Sequence, residues 1–209
     1  QRLEHHLHTH HLSRTDPMKL PIYLDYSATT PVDPRVAQKM ITFLTEDFGN
    51  PSSSHWAGKR AREAVETARG EVAARVGAKP AEIIFTSGGS EANNHALKGI
   101  FFASRRRTPH IITTCIEHPA VLEPCRFLER LGARVNRIPV DSAGLVDPDD
   151  VRRAITPDTI LVSVMHANNE VGTIQPIEDC ARIAREHEVL FHTDAAQSVG
   201  KVPVRVADL

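Results

Sequence analysis

Beyond residue 80, the chain alternates between short apolar runs and longer segments in which apolar residues recur at helical spacing. The apolar runs predict strands at 83–86, 111–115, 135–139, 160–165 and 189–193. The segments between them predict helices near 90–103, 119–131, 147–155 and 177–187. The strand runs are mostly apolar without alternation, as expected of a parallel sheet covered on both faces. The pattern therefore predicts an α/β fold with a mainly parallel sheet and helices on both faces.

The pattern before residue 80 predicts two further helices. Asp33 followed by Pro34 is a typical helix start, with a capping carboxylate and a proline at the first helical position. A second, amphipathic helix is predicted by apolar residues at helical spacing, and Gly77 stands where a left-handed residue would end it. Those apolar positions are Ala61, Val65, Ala68, Val72 and Val76.

The composition of the 209 residues is that of an ordinary globular protein, with 41% apolar and 24% charged residues. A formal net charge of −1 gives no support to a direct nucleic-acid partner. No run reaches the roughly 18 uninterrupted apolar residues that a membrane helix needs. The N-terminus has no apolar signal-peptide core. We therefore expect no membrane association and a cytoplasmic location.

Histidines and cysteines are the residues that raise the question of a metal site. The stretch His5–His11 could chelate a divalent metal, but no structural frame surrounds it, and we favour a tail or gene-start artefact. Cys115, Cys125 and Cys180 are too few and too scattered for a disulfide framework or a zinc site. We interpret them as buried small apolar residues and expect no metal.

The segment Thr86–Glu91 follows a predicted strand and opens a predicted helix. Gly88 and Gly89 allow close approach to the backbone, and the helix N-terminus offers free N–H groups. Ser90 adds a hydroxyl, so the segment carries the donors that a phosphate group needs. A plain strand-to-helix turn with a serine cap is the alternative, and this segment alone leaves both open. It matches neither of the common glycine-rich nucleotide motifs.

Asp194 and Gln197 stand at the end of the predicted strand 189–193. A carboxylate at the end of a buried strand is costly unless something pairs with it. A pyridine nitrogen is such a partner, because a nearby anion raises the pKa of that nitrogen and keeps it protonated. Gln197 could donate to a phenolate oxygen on the same ring. A helix cap or a metal ligand are the alternative interpretations of Asp194.

Polar groups also follow two other predicted strands. His118 could lie over a cofactor ring or transfer a proton, or it could simply cap the next helix. Asn168–Asn169–Glu170 could hold a substrate carboxylate or a cofactor oxygen, or make an Asx turn. All four polar groups converge on one edge of a parallel sheet. A phosphate at one end and an acid–amide pair at the other fit a flat phosphorylated cofactor such as pyridoxal 5′-phosphate, PLP.

Five segments carry a further signal, and they lie in order between Met18 and Leu209. They are Lys19–Asp33, Phe85–Glu91, Glu117–His118, Met165–Glu170 and Asp194–Lys201. In sequence, order and spacing these segments resemble bacterial cysteine desulfurases of the iron–sulfur-cluster type, which are class V aminotransferase-like PLP enzymes. The resemblance covers essentially all of the chain except its N-terminal tail.

The resemblance implies a PLP-dependent transferase of fold type I that works as a homodimer. By the family's motifs, Gly89 and Ser90 would bind the cofactor phosphate. Asp194 would pair with the pyridinium nitrogen, and Gln197 would contact the phenolate oxygen.

The resemblance also implies the substrate and the partners. His118 would stack on the ring and act in proton transfer, and Asn169 would lie beside the cofactor and bind the substrate. The family reaction converts L-cysteine to L-alanine and an enzyme-bound persulfide. Its sulfur passes to iron–sulfur scaffold and sulfur-carrier proteins, and so to iron–sulfur clusters and tRNA thiolation.

Several family residues have no counterpart here, and we expect the chain to be an N-terminal portion. The Schiff-base lysine, the persulfide-forming cysteine and the substrate-binding arginine would lie beyond Leu209, with the rest of the large domain and the small domain. Lys201 belongs to the motif that precedes that lysine. We expect a disordered His-rich tail at 1–17, an N-terminal arm at 18–56 and an incomplete PLP-binding large domain at 57–209. Such a portion is expected to be inactive alone.

Two alternatives to a cysteine desulfurase stay open. A related PLP lyase, such as a selenocysteine lyase, shares the same residues at the sheet edge and differs in the missing cysteine loop. The chain could also be a non-catalytic short form that binds partners or pairs with a full-length subunit.

Overall fold

The computed structural model of the protein describes residues 21–209. The expected His-rich tail and the start of the expected arm lie outside these residues. The chain divides into two compact units after Val32. In the described part of the first unit, a turn at 26–28 follows an extended piece, and the Tyr23 hydroxyl donates to the main-chain oxygen of Asp25 at 2.8 Å. The expected arm boundary at residue 56 stays a prediction.

The second unit begins with the two helices predicted before residue 80. Helix α1 spans Pro34–Thr45, and the Asp33 carboxylate accepts from the main-chain N–H of Arg35 at 2.8 Å. Helix α2 spans Trp56–Val76 and ends at Gly77, whose φ of 70° is left-handed. Both ends follow from local chemistry, because a capping carboxylate and a glycine satisfy helix-terminal backbone groups with little strain.

In the part of the chain that the structure describes, four parallel strands form one sheet in the order β2-β1-β3-β4. Strand β1 spans His110–Thr114, β2 Arg134–Ile138, β3 Thr159–Ser163 and β4 Leu190–His192. Four of the five predicted strands and the parallel direction are confirmed. From β1 the chain runs outward to β2 and then crosses back to β3 on the other side of β1. The strand order therefore reverses between β1 and β3.

The predicted strand at 83–86 is wrong, because these residues pair with no other strand in the described part of the chain. Ile84 and Phe85 are exposed. The Arg69 guanidinium donates to the main-chain oxygen of Ile83 and lies 4.9 Å from the centroid of the Phe85 ring. A short apolar run becomes a strand only when a neighbouring strand accepts its backbone groups.

Helices cover both faces of the sheet, as predicted. Helices α3 (Gly89–Ala103) and α4 (Pro119–Arg130) cover one face. Helices α5 (Pro148–Ala154) and α6 (Ile177–Glu186) cover the other. Neighbouring residues of the two central strands face opposite cores: Ile111 and Leu161 pack with α3 and α4, and Ile112 and Val162 pack with α5 and α6. Each such buried side chain contributes roughly 1.5–3 kcal/mol.

The three cysteines fall into two classes. Cys125 and Cys180 are buried within helices, as expected, and burial raises the pKa of each thiol to about 12. Cys115 is exposed, because β1 ends one residue before it; the expectation that it is buried was wrong. All three are free thiols. No helix among residues 21–209 is both long enough and apolar enough to span a membrane.

Candidate active site at the carboxyl edge of the sheet

The polar segments predicted to converge do lie at one edge of the sheet. The segments after β1, β3 and β4 leave from the carboxyl ends of parallel strands, and the N-terminus of α3 joins them through a contact between Asn93 and Asp194. The edge includes the point between β1 and β3 where the strand order reverses. Open α/β sheets bind ligands in the crevice at such a point.

The start of α3 is open to ligands. Gly88 precedes the helix, and its carbonyl accepts from the N–H of Ala92 at 3.1 Å. A Cβ placed on Gly88 or Gly89 would meet no atom of residues 21–209 within 4 Å, so packing within this part of the chain requires glycine at neither position. Ser90 is exposed. The first N–H groups of a helix have no partner within the helix, so this terminus can receive an anion.

The Glu91 side chain, in the first turn of α3, is held away from the open helix N-terminus. Both the main-chain N–H and the hydroxyl of Ser87 donate to one oxygen of the Glu91 carboxylate at 2.6 Å. These bonds lower the pKa of Glu91. Because the carboxylate folds back onto Ser87, it does not cover the exposed faces of Gly89 and Ser90.

Asp194 is half-buried just beyond β4, and all three of its oxygens have partners. One carboxylate oxygen accepts from the main-chain N–H of Ala196 at 3.0 Å, and the other from the side-chain amide of Asn93 at 2.8 Å. Its main-chain oxygen accepts from the N–H of His166 at 3.0 Å, which ties it to the segment after β3. Each carboxylate oxygen keeps capacity for another donor, so the group can also face a ligand.

Asn93 is a site residue that the sequence reasoning missed. It lies one helical turn after Gly89, is 4% exposed and shares the buried face of α3 with Leu97. A signal was available: asparagine is a poor helix former, and a buried amide is costly without a partner. An asparagine on the apolar face of a predicted helix therefore indicates a polar partner in the core.

Gln197 lies in the turn after Asp194. Its side-chain oxygen accepts from the Lys201 ammonium at 3.0 Å. With the oxygen engaged in this way, its amide nitrogen is the group available to donate to a ligand, which is the role expected of Gln197. Lys201 is therefore tied to the turn that carries Gln197.

His118 caps α4, which is one of the roles that the sequence allows it. Its Nδ1 accepts from the main-chain N–H of Ala120 at 3.0 Å, and the side chain is exposed. A ring that accepts at Nδ1 carries its proton on Nε2 when neutral. The cap thus orients the imidazole and leaves its Nε2–H free of the cap. The expected stacking of His118 on a cofactor ring stays a prediction.

Glu117 joins the ends of the two central strands from a buried position. One of its oxygens accepts from the Thr114 hydroxyl at 2.9 Å and from the main-chain N–H of Met165 at 2.8 Å. The other oxygen has no hydrogen-bond partner among the described residues. Burial is the main cause that raises the pKa of Glu117 to about 7, and the negative charge of Asp194 adds to the rise.

Asn168 and Asn169 have different surroundings. Asn168 is buried, donates to the main-chain oxygen of Ile116 at 3.0 Å and accepts from the N–H groups of Glu170 and Val171, both at 2.9 Å. It makes the Asx turn that the sequence analysis left open, and it ties the segment after β3 to the segment after β1. Asn169 is half-buried, and its role stays a prediction.

The residues present fit a PLP-type cofactor. An open helix N-terminus with two glycines suits a phosphate, and a carboxylate held at a strand end suits a protonated pyridine nitrogen. The two groups are connected through one helix, because the helix that begins at Gly89 also carries Asn93, whose amide donates to the Asp194 carboxylate.

The chain belongs to the class-V aminotransferase family, whose family model matches residues 22–209. Cysteine desulfurase IscS of Dictyoglomus turgidum is 55% identical over 192 residues, which are 92% of this chain and 49% of that protein. A solved NifS-like protein is 46% identical with a TM-score of 0.86, covering 90% of this chain and 52% of that one. The structure of SspA in complex with cysteine is 44% identical with a TM-score of 0.86, covering 89% and 54%.

These comparisons confirm the family resemblance and the fold class expected from the sequence. The chain spans about half the length of the relatives it matches. The parallel α/β architecture is common to this chain and to the two solved structures.

Proposed function

We propose that this chain supplies the cofactor-binding half of a PLP-dependent cysteine desulfurase. The complete protein converts L-cysteine to L-alanine and an enzyme-bound persulfide. The names of the relatives support this activity, and one related structure holds cysteine. Bound PLP supplies an electron-accepting ring for the reaction. The 209-residue chain alone is inactive in this proposal, because the reactive lysine and cysteine of the family have no counterpart in it.

The observation that carries the proposal is the placement of Asp194. Its carboxylate is held by two donors at the carboxyl edge of the sheet, and one donor comes from the helix whose N-terminus is open to a phosphate. A phosphate-binding helix end and a fixed carboxylate on one edge match the two ends of PLP.

Each site residue has a defined task in this proposal. Gly89 and Ser90 bind the phosphate through main-chain N–H groups and a hydroxyl. Asp194 accepts from the ring nitrogen and keeps it protonated. Gln197 donates its amide N–H to the phenolate oxygen.

The remaining two residues act on the ring face and on the substrate. His118 lies over the ring, where Nε2 can hold or move a proton. Asn169 helps to bind the substrate. The complete protein works in the cytoplasm as a homodimer, and its persulfide sulfur passes to iron–sulfur scaffold and sulfur-carrier proteins.

The proposal is tested first by cofactor binding to the 209-residue chain. Pyridoxine 5′-phosphate is the suitable probe, because it has no aldehyde and cannot react with surface lysines. We expect saturable binding that D194A weakens by about tenfold, the typical effect of losing a hydrogen bond to a charged group. Absence of saturable binding to the unaltered chain would contradict the proposal.

The second test is turnover by the complete polypeptide that carries this sequence. We expect it to release alanine from L-cysteine, and D194A to lower kcat by at least about tenfold because the ring nitrogen loses its partner. A complete polypeptide that binds the cofactor and processes selenocysteine but not L-cysteine would favour the lyase alternative.

A further inference from the structure

We infer that Asn93 is a positioning residue: its amide holds the Asp194 carboxylate in the orientation that receives the ring N–H of the cofactor. The inference rests on the proposed function and adds to it a residue of α3 that no motif reasoning assigned. The contact joins residues that are 101 positions apart in the chain.

The Asp194 carboxylate has two donors that lie on different elements. A carboxylate on a half-buried strand end can rotate about its Cα–Cβ and Cβ–Cγ bonds. The Ala196 N–H engages one oxygen, but this donor lies only two residues away and moves with the same turn. The Asn93 amide engages the other oxygen from a different element, and two donors from independent elements set the plane of the group.

Asn93 is buried although its side chain is polar. It is 4% exposed, and it and Leu97 are the buried residues of α3. Asparagine has a lower helix propensity than leucine or alanine, and a buried amide is costly unless it has a hydrogen-bond partner. The amide is therefore explained by its partner rather than by its surroundings.

The position of Asn93 along α3 links the carboxylate to the helix N-terminus. Asn93 lies four residues after Gly89, so one helix presents its N-terminus to the phosphate and its next turn to the carboxylate. One rigid helix, instead of two loops, then sets the distance between the group that binds the phosphate and the group that orients the carboxylate. Preorganised groups bind with a smaller entropic cost than mobile ones.

The contact itself is tested in the cofactor-free chain with a double-mutant cycle. N93A, D194A and the double variant are compared by urea unfolding. We expect the effect of N93A on the unfolding equilibrium constant to be about tenfold larger in the unaltered chain than in D194A, as for a hydrogen bond to a charged group. If the two single effects add within experimental error, Asn93 does not hold Asp194 and the inference is wrong.

The role toward the cofactor is tested by binding of pyridoxine 5′-phosphate. N93D keeps the shape of the side chain but replaces the donor by a second carboxylate. N94D, one residue further on, makes the same change where the native amide donates to the main-chain oxygen of Ser90 at 2.8 Å. We expect N93D to weaken binding by at least about tenfold and N94D by about twofold or less. Equal losses would show that added charge, not the lost donor, matters.

The absorption spectrum of the bound ring separates positioning from a structural effect. We expect the unaltered chain to keep the ring nitrogen protonated to higher pH than in free ligand, and N93D to lose that difference. N93D should bind inorganic phosphate as N94D does. An unchanged spectrum in N93D overturns the inference. Absence of ligand binding to the unaltered chain overturns the proposed function itself and the inference with it, whereas an additive cycle overturns the inference alone.

Discussion

Two loop-to-helix junctions of this protein are rich in glycine, and their glycines have opposite surroundings. At the start of α2, a Cβ on Gly58 would lie 2.4 Å from the main-chain oxygen of Ser53, and a Cβ on Gly49 would lie 2.3 Å from that of Ala57. At the start of α3, a Cβ on Gly88 or Gly89 would meet nothing within 4 Å. The first junction needs glycine for its own packing, whereas the second leaves room for another molecule.

This contrast separates residues that the fold requires from residues that the fold leaves free. Glycine in a helix or at its start costs backbone entropy relative to alanine. Where the protein's own atoms occupy the space of a Cβ, packing explains that cost. Where they do not, as at Gly88 and Gly89, packing leaves that cost unexplained, and the proposed phosphate contact would account for it. Substitutions of the two kinds of glycine test that separation.

The largest effect is expected for G58A. The added methyl group meets main-chain atoms that cannot move without shifting the loop, so we expect a loss of roughly 3 kcal/mol in the free energy of unfolding. Urea denaturation measures the loss. Gly70 lies in the same helix with open space around it, so the matched control G70A should gain about 0.5–1 kcal/mol. Equal effects of the two substitutions would remove the contrast between packed and open glycines.

The next effect is expected for the buried acid at the sheet edge. The pKa of Glu117 is about 7 in the folded protein and 4.5 in the unfolded chain. Between these values the folded state retains a proton that the unfolded state has lost, so the stability contributed by Glu117 falls as the pH rises from 4.5 to 7. The fall is at most roughly 3 kcal/mol by linkage.

E117Q measures this contribution. The variant cannot titrate, so the difference in unfolding free energy between the unaltered chain and E117Q should change across that pH window and stay level above it. The comparison with E117Q is needed because three histidines also titrate. Burial lowers the pKa of His110, His166 and His192, so their contribution to the unfolding free energy rises with pH near 6.5, opposite to that of Glu117. A level difference from pH 4.5 to 7 would mean that Glu117 is not protonated in the folded state.

A smaller effect, and one on binding alone, is expected for G89A. The new methyl group would meet no atom of the described residues, so stability should change by less than about 0.5 kcal/mol. Affinity for pyridoxine 5′-phosphate should fall by about tenfold, because the phosphate can no longer approach the helix terminus closely. Unfolding and binding are measured on the same preparation. A loss of stability without a loss of affinity would assign Gly89 to the fold.

The smallest effect is expected for S90A. Ser90 is exposed, and removing its hydroxyl takes away one neutral hydrogen bond to the phosphate while the main-chain donors remain. We expect affinity for pyridoxine 5′-phosphate to fall by about threefold to tenfold, and the unfolding free energy to be unchanged. S87A is the control, since the Ser87 hydroxyl donates to Glu91 and lies outside the proposed phosphate contact. A larger loss with S87A would show that binding depends on the Ser87–Glu91 hydrogen bond more than on the Ser90 hydroxyl.

Much of the fold could be predicted because its signals are local. The Asp33 cap and the left-handed Gly77 act through neighbouring backbone groups. The apolar runs of β1 and β3 form strands that are buried on both faces, as their apolar pattern without alternation predicts. The failures needed distant partners. The run at 83–86 has the composition of a strand but no strand to pair with among residues 21–209, and Cys115 is exposed because β1 ends one residue earlier.

The candidate site divides in the same way. The sequence alone determined which groups are present at the edge of the sheet, since strand ends and a glycine-rich helix start are visible in the pattern around Ser90, His118 and Asp194. Only the tertiary structure decided which of them meet. The amide of Asn93 donates to Asp194, and Glu117 connects the ends of β1 and β3. Both contacts form because a parallel sheet brings together segments that are far apart in the chain. Local propensity carries no information about such contacts, since they depend on the order of the strands.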